Sequence, residues 1–177
     1  MPLIKAFRMD GLGNRFIIID RREKSISIPK EKIIHLGNLK SFHRNIQFDQ
    51  IIFIEKEINN TYPITIFNSD GGEVSACGNG SRCVAYLLSK DLNNKEIKLK
   101  TNNRLLNAKI VGEFDVQLEM GKPVFEWNKI PLKEKIDNKN ITLDIDGKKF
   151  TDGFSLNVGN PHIIFFVKDC FEYDLKI

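Results

Sequence analysis

One stretch concentrates the residues able to do chemistry: Phe67-Asn68-Ser69-Asp70-Gly71-Gly72-Glu73-Val74-Ser75-Ala76-Cys77-Gly78-Asn79-Gly80-Ser81-Arg82-Cys83. A strand-like run ends, a glycine-rich turn follows, and Cys77 stands just before a helical pattern. The first backbone N–H groups of a helix have no acceptor within it, and the helix dipole adds partial positive charge at the same end. An anion is favoured there, so a thiol so placed is held toward its thiolate. Gly78 and Gly80 leave room for a ligand carboxylate to reach bare N–H groups. Cys77 is therefore a candidate base whose neighbours hold an acidic substrate. On position alone the alternative stays open that Cys77 is a small buried hydrophobe. Cys83, six residues on and within the helical pattern, reads as a core residue. Cys170, in a polar terminal stretch, reads as non-functional.

A second cluster is Asn157-Val158-Gly159-Asn160-Pro161-His162. An amide and an imidazole side by side could hold an amino or carboxylate group and tune a nearby thiol. Taken alone, an ordinary turn is the better reading, because Asn, Gly and Pro are turn residues. Gly11-Leu12-Gly13-Asn14 lacks the third glycine and the βαβ unit of a dinucleotide fingerprint and reads as a hairpin turn. His35 and His43 lie in a polar stretch and read as surface residues. No Walker loop, zinc-protease motif or nucleophile elbow is present.

The elements that must position these residues follow from periodicity. Ile4–Met9 and Phe16–Asp20 predict a hairpin about the glycine turn, and Ile33–Leu39 a short helix. Gln50–Glu55 and Tyr62–Phe67 predict strands. From Ser81 to Ser89 the apolar residues Cys83, Val84, Leu87 and Leu88 recur at helical spacing, with Asn79 as the predicted N-cap. Asp91–Lys95 ends that helix. Ile97–Thr101, Leu105–Val111 and Asp115–Met120 are strand-like, as are Phe150–Val158 and Ile163–Val167. Between the last groups, Lys129–Lys149 is polar and Lys-rich, with a turn at Asp146-Gly147. Many strands around one apolar helix predict an α+β fold with a sheet wrapped on that helix. Gly121-Lys122-Pro123 marks the predicted boundary between residues 1–121 and residues 122–177.

With 177 residues and 41% hydrophobic content the chain can build a core, and a net charge of +4 spread over Lys-rich stretches reads as a solvated surface. No clustered basic face with interleaved aromatics suggests nucleic acid as a partner. No apolar run suggests a membrane, and the sequence predicts a cytoplasmic location with its three cysteines reduced. Three cysteines without a C-x-x-C pair give little support to a metal site.

Together the motifs resemble those of the diaminopimelate epimerase family. Phe7-Arg8-Met9-Asp10-Gly11-Leu12-Gly13-Asn14 is similar to its opening block, Phe67 to Cys83 to its central block, and Met120-Gly121-Lys122-Pro123 and Val158-Gly159-Asn160-Pro161-His162 to two later blocks in the right order. The resemblance implies two pseudo-symmetric domains, each a curved, mostly antiparallel sheet around a central helix, with the substrate between them and no pyridoxal phosphate or metal. One cysteine from each domain faces the α-carbon; one thiolate removes its proton and the other thiol returns one to the opposite face, converting LL-2,6-diaminopimelate to the meso form for lysine and cell-wall precursors. By match, Cys77 is the first of these cysteines. Gly78 and Asn79 receive the α-carboxylate through backbone N–H groups, Asn14, Gln50, Asn68 and Asn160 make further substrate contacts, and His162 influences the thiols. A homodimer is a further expectation for the full-length protein.

The sequence also departs from the family pattern. Arg44-Asn45-Ile46-Gln47-Phe48-Asp49-Gln50 lacks two glycines of the corresponding block, and Arg15 replaces an acidic residue. The later Glu-Arg pair and the second cysteine in a Cys-Gly-Thr-Gly-like helix start have no counterpart here, so residues 122–177 are expected to be an incomplete second domain. Two other readings follow: a related racemase or isomerase acting on another amino acid, and an inactive fragment or small-molecule binding module.

Overall fold

The computed structural model describes residues 5–38, 47–145 and 147–172. The chain divides into two compact units, Met1–Met120 and Gly121–Ile177.

The first unit opens with an antiparallel hairpin, β1 (Ala6–Gly11) and β2 (Asn14–Asp20). Leu12 and Gly13 form its two-residue loop, and both take positive φ, 49° and 85°. That is the backbone a primed hairpin turn demands. Helix α1 (Lys30–Asn38) follows, then β3 (Gln50–Ile54), β4 (Tyr62–Asn68) and the two-residue β5 (Glu73–Val74). Helix α2 (Gly78–Leu92) comes next, and β6 (Glu96–Lys100), β7 (Leu105–Gly112) and β8 (Asp115–Glu119) close the unit. The strands form one sheet in the order β1-β2-β3-β4-β6-β7-β8, with β5 on β4. Among the described residues the β2–β3 and β4–β6 pairs are parallel and the other pairs of this sheet antiparallel. The expectation of a mostly antiparallel sheet on an apolar helix is met.

Strand parity decides which side chain meets which helix. Phe16, Ile18, Ile52, Ile54, Ile64 and Ile66 pack with Val84, Ala85 and Leu88 of α2, joined by Ile97, Leu99, Leu106 and Ala108. Ile19, Ile51 and Phe53 point the other way and pack with Ile33 and Phe48, with Leu36 and Phe67 alongside. The middle of the sheet is thus covered on both faces. This explains why β3 reads as an unbroken apolar run rather than an alternation. Helix α2 ends at Asn93, whose left-handed backbone (φ 50°, ψ 41°) donates its N–H to the Ser89 carbonyl.

In the second unit, β9 (Ile141–Ile145), β10 (Lys148–Asn157) and β11 (Pro161–Ile164) form an antiparallel sheet in the order β11-β10-β9. A 3-10 turn follows at Cys170–Glu172. Ile130, Ile141 and Phe150 are its buried apolar residues.

Three expectations need correction. Strand β9 lies inside the stretch read only as polar and Lys-rich; its alternating Ile141, Leu143 and Ile145 supply the pattern. Strand β5 was not anticipated, being only two residues long. The last strand begins at Pro161, two residues before the predicted start, so His162 belongs to a strand and pairs with Leu156 rather than sitting in the turn. Leu39, His43, Arg44–Ile46 and Asp146 lie outside the described residues.

Candidate active site

Asn14 opens β2, Gln50 opens β3 and Asn68 closes β4, so the three amides share one end of three adjacent strands. Register ties them together: Gln50 pairs with Phe16 on one side and with Asn68 on the other. They have the parity of Phe16, Ile52 and Ile66, which places them on the α2 side of the sheet, beneath the start of that helix. Gln50 Nε2 donates to Asn68 Oδ1 at 2.9 Å, and Gln50 Oε1 is buried and meets no hydrogen-bond partner among the described residues. The departures from the family pattern join next to this pair. Arg15 N donates to Asp49 Oδ2 at 2.7 Å, Asp49 N donates to the Arg15 carbonyl at 2.8 Å, and the Arg15 guanidinium lies 3.5 Å from Asp49. The described part of the altered loop is therefore fastened to β2 immediately before Gln50.

The turn leading into α2 is held by its own hydrogen bonds and by close packing on α1. Asp70 Oδ1 accepts the Gly72 N–H at 2.7 Å, and the Gly71 N–H donates to the Asn68 carbonyl at 2.9 Å. Gly71 has φ +77° and faces Lys30 of α1 so closely that a Cβ there would lie 2.7 Å from Lys30 Cγ. Only glycine satisfies both conditions.

Cys77 itself is the N-cap of α2, which corrects the assignment of Asn79 to that role. Its backbone is extended (φ −147°, ψ 107°) and its Sγ accepts the Gly80 N–H at 3.4 Å. Asn79 is two residues inside the helix, and its side chain turns to other partners. Its Nδ2 donates to Asn14 Oδ1 at 2.9 Å, and its Oδ1 accepts from Arg82 Nη2. The N–H groups of Gly78 and Asn79 belong to the first turn and have no acceptor within the helix. Cys77 is partly buried and packs against the core under α2 while keeping some exposure. Cys83 is buried, and burial pushes its thiol up to about 11, so it stays protonated at neutral pH. Cys170 is exposed.

Of the eight residues singled out, the structure brings Asn14, Gln50, Asn68, Cys77, Gly78 and Asn79 to one end of the first unit. Asn160 and His162 lie in the second unit, both exposed, with His162 Nε2 3.0 Å from Asn160 Oδ1. Asn157 shapes that turn: its Oδ1 accepts the Gly159 N–H at 2.7 Å and its Nδ2 donates to the Lys129 carbonyl at 2.7 Å. Arg82 was given no role in the sequence reading. Its spacing of three from Asn79 on a helix was the available signal, since such residues are neighbours.

The family described as Diaminopimelate epimerase matches residues 6–126. The chain belongs to the diaminopimelate epimerase family. It is 46% identical over 98% of its length to the diaminopimelate epimerase of Pelagibacter ubique, and 36% identical over 96% to that of a Wolbachia from Brugia malayi. It spans 63% and 62% of those two relatives, less than two-thirds of their length. Among solved structures, a hydroxyproline epimerase from Agrobacterium vitis with bound trans-4-hydroxy-L-proline covers 93% of the chain with a TM-score of 0.60 at 13% identity. A predicted epimerase from Pseudomonas aeruginosa covers 93% with a TM-score of 0.59 at 13% identity. The chain covers 52% and 60% of these two structures. At such identity the likeness speaks for the fold alone, the epimerase-like α+β architecture. No helix among the described residues is long and apolar enough to cross a membrane.

Proposed function

We propose that the full-length protein epimerises LL-2,6-diaminopimelate to meso-diaminopimelate, a step toward lysine, by two-base inversion at the α-carbon without a cofactor. The observation that carries this reading is the position of Cys77 at the start of α2, where its Sγ accepts the Gly80 N–H and the N–H groups of Gly78 and Asn79 have no acceptor within the helix. In this reading those two N–H groups take the α-carboxylate, and the electron-withdrawing contact eases loss of the α-proton. Cys77 supplies one of the two sulfurs. As thiolate it takes the proton from one face while a second thiol gives a proton to the other; in the reverse direction it is the thiol that gives. No net proton is consumed. Asn14, Gln50 and Asn68 border the same end of the sheet and hold the rest of the substrate, with Asn160 as a further substrate contact and His162 as the group that influences the thiols, both from residues 122–177, the beginning of the second epimerase domain.

The reading is tested by α-carbon exchange in deuterium oxide. The full-length protein should incorporate deuterium into diaminopimelate, and Cys77→Ser should abolish incorporation. Unchanged exchange in that variant removes Cys77 from the chemistry. Turnover of a different amino acid in place of diaminopimelate, in a panel that includes both, replaces the substrate.

A further inference from the structure

The start of α2 carries a chain of three side chains whose direction can be read from its last member. Arg82 Nη2 donates to Asn79 Oδ1, and Asn79 Nδ2 donates to Asn14 Oδ1 at 2.9 Å. A carboxamide is nearly symmetric in shape, so its orientation is set by what its neighbours can give or take. A guanidinium only gives. With Arg82 present, the face of Asn79 turned toward it must be the oxygen. The Asn79 NH2 then faces Asn14, and the face of Asn14 turned toward Asn79 must be its oxygen. The Asn14 Nδ2 hydrogens are left over, and among the described residues they meet no acceptor.

We infer that Arg82 is a positioning residue that fixes the polarity of the Asn79–Asn14 pair and thereby presents the Asn14 side chain to the substrate as a donor. The inference rests on the proposed function for what Asn14 donates to: a carboxylate-bearing amino acid held at the Gly78 and Asn79 N–H groups. Without Arg82 both carboxamides can reverse together and keep their mutual hydrogen bond. Asn14 would then show the ligand its oxygen, and a carboxylate would meet an acceptor. The position of the guanidinium supports the role. Its Nη1 packs against Gly78, 3.7 Å from where a Cβ on that glycine would stand, so it is seated over the first turn rather than reaching into solvent.

Two measurements on the full-length protein test this. The first needs no substrate: side-chain amide exchange by NMR in the wild type. The Asn79 carboxamide hydrogens should be protected and those of Asn14 should exchange as free amides, and Arg82→Met should move part of that protection from Asn79 to Asn14. Protection on Asn14 with a free Asn79 overturns the inference. The second is steady-state kinetics. Losing the favoured donor should raise KM for diaminopimelate about tenfold in Arg82→Met, the scale of one hydrogen bond, with kcat changed less than about twofold. Arg82→Lys, which can only donate, should recover most of the loss. A KM within twofold of wild type in Arg82→Met, or equal losses in both variants together with a lowered Tm, shows a purely structural residue and overturns the inference. Should Arg82→Met fail to fold, the wild-type exchange pattern still decides. Failure of wild-type turnover would sink the proposed function and leave the exchange measurement standing, so the two failures are distinguishable.

Discussion

Gly80 gives its N–H to Cys77 Sγ at 3.4 Å while standing where a Cβ would lie 2.6 Å from Ile52 Cδ1 and 3.2 Å from Phe16 Cε1. The residue that holds the candidate base in place is thus also a point at which α2 lies close against the sheet. Alanine normally favours a helix over glycine by about 0.5–1 kcal/mol. Here the added methyl must push into Ile52 and Phe16, both fully buried. Overpacking of that kind costs about 1–3 kcal/mol. Gly80→Ala should therefore lower the stability measured by urea unfolding, and it should change the rate at which Cys77 is alkylated. Equal or greater stability would mean that the helix start is free to lift from β2 and β3.

The three cysteines should separate cleanly by reactivity. Cys170 is exposed, Cys77 is partly exposed at a helix start, and Cys83 is buried with its thiol pushed up to about 11. Iodoacetamide at pH 7.5 followed by peptide mass spectrometry should find Cys77 and Cys170 modified and Cys83 intact. In a Cys170→Ser background one equivalent should be taken up, at Cys77. Modification of Cys83 ahead of Cys77 would contradict the burial order that makes Cys77 the available sulfur.

The legible parts of the sequence were those where one periodicity persists. The apolar spacing of Cys83, Val84, Leu87 and Leu88 predicted a helix on the core, and Ile4–Met9 with Phe16–Asp20 a hairpin. Asn79 shows how a local rule fails. Asparagine outranks cysteine as a cap in propensity, but its side chain is taken by Asn14 and Arg82, and the sulfur two residues earlier accepts the Gly80 N–H instead. Strand β9 was hidden because its alternation sits among lysines and its flanks are exposed, so composition masked period. The meeting of Asn14, Gln50 and Asn68 could not be read from spacing at all. It depends on the parallel register of β2 with β3 and the antiparallel register of β3 with β4, which are long-range pairings.

Burial on the α2 side and exposure at the hairpin tip predict opposite sensitivities for two leucines. Leu88 is fully buried among Ile and Leu side chains, whereas Leu12 is 83% exposed. Leu88→Ala should cost about 2–5 kcal/mol. Leu12→Ala should change stability by less than about 0.5 kcal/mol. The comparison is read by chemical denaturation of the two variants. A large loss from Leu12→Ala would place a packing partner over the hairpin that the described residues do not supply.

Alkaline stability should carry the signature of Cys83. Burial raises its thiol from the ordinary 9.0 to about 11, because the thiolate is poorly solvated beneath Gly11. The folded state therefore binds this proton more tightly than the unfolded state does. Its contribution is complete below pH 9 and is lost as the pH rises through about 11. Tyr62 acts in the same direction, raised first by burial and then by its hydrogen bond with Glu57, so the wild-type slope alone does not isolate the cysteine. The difference between wild type and Cys83→Ala does, since both keep Tyr62. Cys83→Ala should be less stable at pH 7 because it leaves a small cavity, and the gap should narrow between pH 9 and 11. The check is unfolding free energy by urea at half-unit pH steps, and a gap that stays constant or widens across that interval would mean the Cys83 thiol ionises in the folded protein as readily as in the unfolded chain.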